Sequence, residues 1–497
     1  MALFNKKTEM RELNQAGMPG FKRLGKKAEL VSVVLNALTL KNIFYENGAA
    51  TRRRIEGLAQ KVMAEDPLFV MKLSVYARTE LQLRSVATLL NICIAENIKG
   101  KQETKKALLR TLIRPDDALE LVALWNHRHP GIMIPNAMRK AIREALEKNW
   151  DAYQLKKYFG GRNAVKVPDL IKLAHPRPRN DEQALMFKQA IEGSLPSIAT
   201  AQTINAGNTG GQRAESYLSL LREGKLGLMA ALKNIKNILQ AGSLLSKEDG
   251  QELVARLADL LRNKQVVQRA RVLPFRYYDA YTSVTHLSGD LFDQKAIADS
   301  LVEGFRIACK NVELTAPGER IAILIDDSGS MSWGDSSYMF KNAVILASAI
   351  DQNVDNSIVV FFSDTARVDT ATVRDLRWAA SRTPKGRATR IAEAIRKVMA
   401  TQVDKMIILT DMQQNALTYT ENGDRDLNAW VEKYKERHGS NIKVLFWNLA
   451  PYGGPSPILF GNNVLEVSGF SEKMLQVISL IWEDRNALIN KIDQIII

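Results

Sequence analysis

From about residue 28 to residue 315, apolar positions recur at i, i+3 and i+4, the spacing that gathers them on one face of an α-helix. The pattern predicts helices over Ala28–Leu40, Thr51–Met63, Leu68–Arg78, Leu83–Ala95 and Thr104–Leu112. Asp66-Pro67 and Pro115-Asp116-Asp117 read as helix starts, with proline and carboxylate in the first turn. Alternating β patterning is almost absent here, and short helices with short connections suggest a HEAT-like solenoid without a clean repeat. Asn205 to Gln212 reads as a Gly-rich loop between helices. At Thr315-Ala316-Pro317-Gly318-Glu319-Arg320 the pattern changes, which places a domain boundary between 315 and 316. Beyond it, continuous apolar runs predict buried parallel strands at Ile321–Asp326, Ser357–Ser363, Met406–Asp411, Ile442–Asn448 and Val464–Ser468. Helices over Tyr338–Ile350, Ile391–Met399 and Leu427–Glu436 alternate with them, so residues 316–497 read as a doubly wound, Rossmann-like α/β domain.

Charge divides the chain at the same place. The net charge is +15, yet residues 316–497 hold 20 Lys and Arg against 22 Asp and Glu, whereas the first 315 hold 49 against 32. The whole positive excess lies in the helical part, where it would concentrate a polyanion. Nucleic acid is the first expectation, an anionic membrane surface the second, and a merely basic soluble protein the bland one. A length of 497 residues suggests two to four units. No run of about 18 uncharged apolar residues could span a membrane, and the N-terminal residues lack the apolar run of a signal peptide. Cys93 and Cys309 stand far apart in apolar helical contexts, which points to a reducing, cytoplasmic setting without a disulfide framework.

The first α/β strand ends in Asp326-Asp327-Ser328-Gly329-Ser330-Met331. Asp326, Ser328 and Ser330 stand at alternate positions on a turn at the carboxyl edge of the sheet, where ligands of open α/β sheets gather. Thr389, before the helix at Ile391, and Asp411, at the end of the third strand, fall on the same edge. Such hard oxygen donors suit a divalent cation, best Mg²⁺. Capping serines and a strand-ending aspartate are the structural alternative. The five positions resemble the metal-ion-dependent adhesion site of von Willebrand factor A domains. That resemblance implies a metal with one coordination position left for an acidic group of a partner.

Several stretches of the helical part are similar to the Ro autoantigen family, whose helical ring is the TROVE domain. They are Asn14-Gln15-Ala16-Gly17, Ile43 to Gly48, Leu73 to Arg78, Lys156 to Tyr158, Leu170 to Pro178, Leu226 to Asn234 and Leu273 to Arg276. The order of helical part and von Willebrand A-like part is also that family's, so the resemblance covers nearly the whole chain. The short, Gly-rich stretch between Leu195 and Tyr217 departs from animal members and is closer to bacterial or phage-encoded ones. The resemblance implies a helical ring over 1–315 that binds small noncoding Y RNA on a basic outer face. It implies single-stranded 3′ ends of misfolded RNA in the central hole. It further implies a role in RNA quality control or as adaptor to a 3′ exoribonuclease such as polynucleotide phosphorylase, in a protein expected to be a monomer. Outer-face contacts fall by this likeness on Lys157, Arg162 and His175, and a one-residue insertion around Phe159-Gly160-Gly161 leaves Lys156 as the alternative to Lys157.

The same block is conspicuous by its residues alone. Between Asn136 and Asn180 eleven basic residues, among them Arg139, Lys140, Arg143, Lys156, Lys157, Arg162 and Lys172, face four acids. Trp150, Tyr153, Tyr158 and Phe159 are interleaved, as stacking on unpaired bases needs, although two helices would also use such residues as core. His175 alone would read as a helix end. An enzyme is disfavoured: the five histidines show no metal-ligand spacing, and no nucleophile elbow or phosphate loop appears. Ser and Thr donors also suit docking better than two-metal hydrolysis. The alternative function is a von Willebrand A-type scaffold or adhesion protein that takes protein ligands through a Mg²⁺-dependent site.

Overall fold

The computed structural model describes residues 25–36, 48–98, 102–159, 164–196, 210–270, 274–288, 293–310, 318–332, 337–413, 427–439, 441–450, 464–468 and 487–497, together with 12–13, 19–20, 204 and 272. A two-residue antiparallel pair, β1 (Glu12–Leu13) with β2 (Pro19–Gly20), precedes the helices. Then follow α1 (Lys26–Asn36), α2 (Gly48–Glu65), α3 (Pro67–Thr79), α4 (Arg84–Asn97), α5 (Gln102–Thr111) and α6 (Pro115–Arg128). Each predicted helix of this stretch forms, to within a few residues at either end wherever its ends are described. Asp66 caps α3 through Phe69 N–H at 3.0 Å, and prolines open α3 and α6.

The basic block comprises α7 (Asn136–Glu144), a π-helical turn (Ala145–Asn149), α8 (Ala152–Phe159) and α9 (Val167–Ala174), closed by α10 (Asp181–Glu192). The second helical group holds α11 (Gly210–Arg222), α12 (Leu228–Gly242), α13 (Lys247–Arg262), α14 (Lys264–Ala270), α15 (Pro274–Thr285) and α16 (Gln294–Cys309). Most of the loop expected at 205–212 lies outside the described residues; its last three residues begin α11. Arg162, the boundary residues 315–317 and the motif at 14–17 also lie outside them. Gly304 in α16 is required by packing: a Cβ there would stand 2.2 Å from Leu261 O and 2.4 Å from the Tyr277 ring.

The α/β unit contains β3 (Arg320–Asp326), α17 (Ser337–Asp351), β4 (Asn356–Phe362), β5 (Ala366–Val368), α18 (Leu376–Ser381), α19 (Ile391–Met399), β6 (Lys405–Thr410), α20 (Leu427–His438), β7 (Lys443–Asn448), β8 (Val464–Ser468) and α21 (Ala487–Asp493). The sheet order is β5-β4-β3-β6-β7-β8, parallel except for β5. All five predicted strands are present within a residue or two. The antiparallel edge β5 is an addition: three partly exposed residues carry no apolar run. Along β3, Ile321, Ile323 and Ile325 enter one core while Ala322 and Leu324 enter another, so both faces of the sheet are covered.

The first of these cores joins the two parts of the chain. Leu30, Phe69, Leu73 and Leu90 of the first helices share it with the β3 isoleucines, Trp447 and Val467. At its edge Lys72 Nζ donates to Asp493 O and Arg110 to Ile496 O. From the other end of the helical part, α15 and α16 pack on α18 and α17. The α/β unit thus touches both the beginning and the end of the helical part. Among the described residues no helix is long and apolar enough to cross a membrane.

Within the first group, Arg78 and Asp117 form a two-pronged buried ion pair, Nε to Oδ1 at 2.9 Å and Nη2 to Oδ2 at 2.8 Å. Both side chains are under 5% exposed. Asp117→Ala would leave the guanidinium buried and uncompensated and is expected to cost about 3–5 kcal/mol. Chemical denaturation checks this; a loss below about 1 kcal/mol would mean that water reaches the site.

Candidate nucleic-acid interface and metal centre

The sheet order reverses beside β3, whose chain continues to β4 on one side while β6 lies on the other. The crevice between β3 and β6 is where this topology leaves room for a ligand. Asp326 ends β3 and Asp411 follows β6, both fully buried. Asp326 Oδ1 accepts the Ser328 N–H at 3.0 Å and Oδ2 accepts the Thr410 hydroxyl at 2.7 Å. Ser328 and Ser330 present their hydroxyls 3.3 Å apart. Asp411 Oδ1 accepts the Gln413 N–H at 3.0 Å, while its Oδ2 is buried without a hydrogen bond.

Thr389 reaches the same edge through a loop held tightly over it. Gly386 N–H donates to Asp327 O at 3.2 Å and Arg390 N–H to Ser363 O at 3.1 Å. A Cβ at Gly386 would stand 2.0 Å from Ser363 Cβ, so only glycine lets the loop approach. Thr389 is fully buried. Sequence reasoning missed Thr410, which orients Asp326; its signal was only its place before Asp411.

Two carboxylates are buried together at this edge without an ion-pair partner among the described residues. Burial, and then the charge of Asp411, push the Asp326 carboxyl well above the usual carboxylate range. Burial does the same to Asp411. Neither forms an ion pair among the described residues, although the adjacent Asp327 is paired with Arg367. Two buried carboxylates, one with an idle oxygen, and three buried hydroxyls fit a hard divalent ion such as Mg²⁺. Among the described residues no cluster of three or more His, Cys, Asp or Glu has metal-site geometry, so an ion at this edge would rest on two carboxylates together with hydroxyls.

In the basic block, α7 carries Arg139, Lys140 and Arg143. Arg143 Nε donates to Ala174 O at 2.7 Å, which fixes α7 against the end of α9. His175 follows in the left-handed conformation at φ 48° and is exposed, as is Lys172. These five residues therefore sit on two adjoining helices. Of the aromatics, Trp150 is fully buried core, Tyr158 and Phe159 are half-buried against that core, and Tyr153 is 56% exposed. Trp150 is thus not available for stacking.

Lys156 and Lys157 stand on α8, and Lys157 lies over the Tyr158 ring at 5.6 Å. Lys157 also belongs to a second group of cations that the sequence does not reveal. Lys233 on α12 is held below its ordinary value by burial and then by the charges of Arg276, Arg114, Arg84 and Lys157. These five residues come from α4, the N-cap of α6, α8, α12 and α15, up to 192 positions apart. They belong to two helical groups with separate cores, one around Trp150 and the other around Tyr277. Arg84 and Arg114 are partly neutralised by Asp116; Lys233 and Lys157 form no ion pair among the described residues.

A helical, strongly basic part is thus joined to a six-stranded α/β unit whose carboxyl edge gathers two buried carboxylates. The TROVE domain model matches residues 208–408, a stretch that runs from the second helical group into the α/β unit. The fold is similar to that of the Ro (RSR) protein of Deinococcus radiodurans, at 17% identity and a TM-score of 0.62, over 93% of this chain and 100% of that one. No curated protein matches the sequence. Over residues 208–408 the chain is thus similar to the TROVE-domain family, and in its fold to the Deinococcus Ro protein.

Proposed function

We propose that this protein binds RNA in two ways. A single-stranded segment, such as the 3′ end of a misfolded RNA, runs between the two helical groups past Arg84, Arg114, Lys157, Lys233 and Arg276. A structured small noncoding RNA of the Y type lies along α7 and α9, on Arg139, Lys140, Arg143, Lys172 and His175, with Arg162 expected to join them. The observation that carries the reading is the convergence of five cations from five helices. After burial, the charges of Arg276, Arg114, Arg84 and Lys157 hold the Lys233 pKa down, and a polyanion lying among them would offset that repulsion. Closure of the helical part through the α/β unit, which touches both its ends, supports a ring with a central opening.

The α/β unit is read as a von Willebrand A-like domain whose edge holds Mg²⁺ through Asp326, Ser328, Ser330, Thr389 and Asp411. With two carboxylates the site leaves charge on the ion for an external acidic group, which suits docking of a partner. The protein would then act in RNA quality control, or as adaptor to a 3′ exoribonuclease such as polynucleotide phosphorylase.

The test measures affinity of the full chain for an unstructured 3′-tailed RNA across salt concentrations. Affinity is expected to fall steeply, with log K dropping about 0.7 per neutralised phosphate per decade of salt. An affinity indifferent to salt would overturn the reading.

A further inference from the structure

A groove of about 690 Å³ opens beside the basic block, between the end of α4, the start of α5, the end of α6 and the start of α7. That size suits one nucleotide or a comparable small molecule. Its wall is apolar, formed by Ile98, Trp125 and the loop residues Ile132 and Met133, which are 59% and 89% exposed. Two such apolar side chains standing in water at a groove mouth are unusual for a loop with no partner. The wall is also stiff: Trp125 donates its indole N–H to Ile132 O at 3.1 Å. His129 stacks on Trp125 at 4.2 Å and bonds Glu96 at 2.8 Å.

Polar groups are placed where a flat ligand's edge would reach. Thr104 lines the groove with a fully buried hydroxyl that has no hydrogen-bond partner among the described residues. A buried unsatisfied hydroxyl is costly, and a ligand atom in the groove would relieve it. The Asn136 side chain stands at the rim, and so does Lys140, exposed and without an ion pair among the described residues. Lys105, paired with Glu144, adds a second cation. Apolar walls, an idle hydroxyl, an amide and a free ammonium together match a nucleobase with its phosphate.

We propose that this groove receives one unpaired nucleotide of the RNA that lies on α7, its base against Met133 and Ile132 and its phosphate on Lys140. The base edge then meets Thr104 and Asn136. This rests on the reading of α7 as an RNA-binding face and adds to it a means of distinguishing bulged from fully paired RNA. A charged surface alone would bind both equally.

The experiment uses the full chain and two RNA hairpins, one fully paired and one with a single bulged 2-aminopurine. The bulged hairpin is expected to bind about tenfold tighter, with a change in 2-aminopurine fluorescence on binding. Ala137→Leu, which narrows the groove without altering charge, and Thr104→Val should each reduce that preference while leaving affinity for the paired hairpin unchanged. Circular dichroism checks the fold of each variant; Lys140→Gln, on an exposed side chain that also belongs to the RNA face, should lower affinity for both hairpins and more so for the bulged one. Equal binding of both hairpins by the wild type, or a preference that survives all three variants, overturns the groove assignment while leaving the RNA face standing. Should neither hairpin bind, the RNA-face reading fails. Calorimetric titration with adenosine monophosphate then decides the groove itself, since no binding sensitive to Ala137→Leu would overturn that as well.

Discussion

Replacing Lys157, Lys233 and Arg276 together by Gln is expected to lower affinity for an unstructured RNA about a hundredfold at low salt, at roughly 1 kcal/mol per lost phosphate contact. The slope of log K against log salt should become shallower by about 2, since each contact contributes roughly 0.7. These three are chosen because Arg84 and Arg114 share Asp116 at hydrogen-bond distance, so their removal would unbalance a carboxylate, whereas Arg276 stands 4.0 Å from Asp279 and the two lysines form no ion pair among the described residues. The variant should fold at least as well as the parent: Lys233 is exposed beside like charges, and its loss relieves repulsion. Binding of a fully paired hairpin, attributed to α7 and α9, should change little. Filter binding with the two RNAs reads both effects. Equal losses for both RNAs would show that one surface serves them, and no loss for the single strand would remove the cation cluster from the interface.

The second large effect concerns the buried carboxylates. Asp326 and Asp411 are both raised above the usual carboxylate range by burial, Asp326 also by its neighbour's charge. The folded protein thus holds protons that the unfolded chain releases near pH 4. Stability linked to these groups is therefore present while they are protonated and is lost as pH rises through their raised folded values. In a chelator, thermal stability should fall between pH 5 and pH 8. Every tenfold by which folding tightens a carboxyl's hold on its proton is worth about 1.4 kcal/mol, and each kcal/mol moves Tm by roughly 2–4 °C in a unit of about 180 residues such as the α/β unit. Mg²⁺ should reverse the trend, because only the ionised pair binds it. Asp411→Asn should flatten the profile in chelator and abolish the response to Mg²⁺, while leaving hairpin binding by the helical part intact. Calorimetric scans at several pH values with and without Mg²⁺ check this. A Mg²⁺ response that survives Asp411→Asn would take the metal elsewhere.

Local pattern determined the elements and one of the two sites. The β3, β4, β6, β7 and β8 runs are apolar on both faces because both faces are covered, and that continuity is visible in any window of five residues. The positions proposed for a metal were equally legible, since Asp326, Ser328 and Ser330 lie within five residues and Asp411 directly follows a strand. The basic block could be read as charge, yet its aromatics could not be apportioned. Trp150 is core and Tyr153 is exposed, although they stand three residues apart, because the π-helical turn ends in extended backbone at Trp150 and so breaks the i, i+3 spacing that would have put them on one face.

Tertiary structure alone decided the rest. The cation cluster takes one residue from each of five helices, so no stretch of sequence contains more than one of its members at a distinctive spacing. Arg84, Arg114 and Arg276 each stand at or beside a helix start, where sequence reads them as ordinary solvated charges. The shared core between the first helices and the sheet is hidden for a related reason. Leu30, Phe69 and Ile323 are plain core residues in their own elements, and only the docking of one element on another shows that they bury each other. Sequence records what each segment must bury, whereas which segments bury it together, and which charges that brings face to face, is set by packing over hundreds of residues.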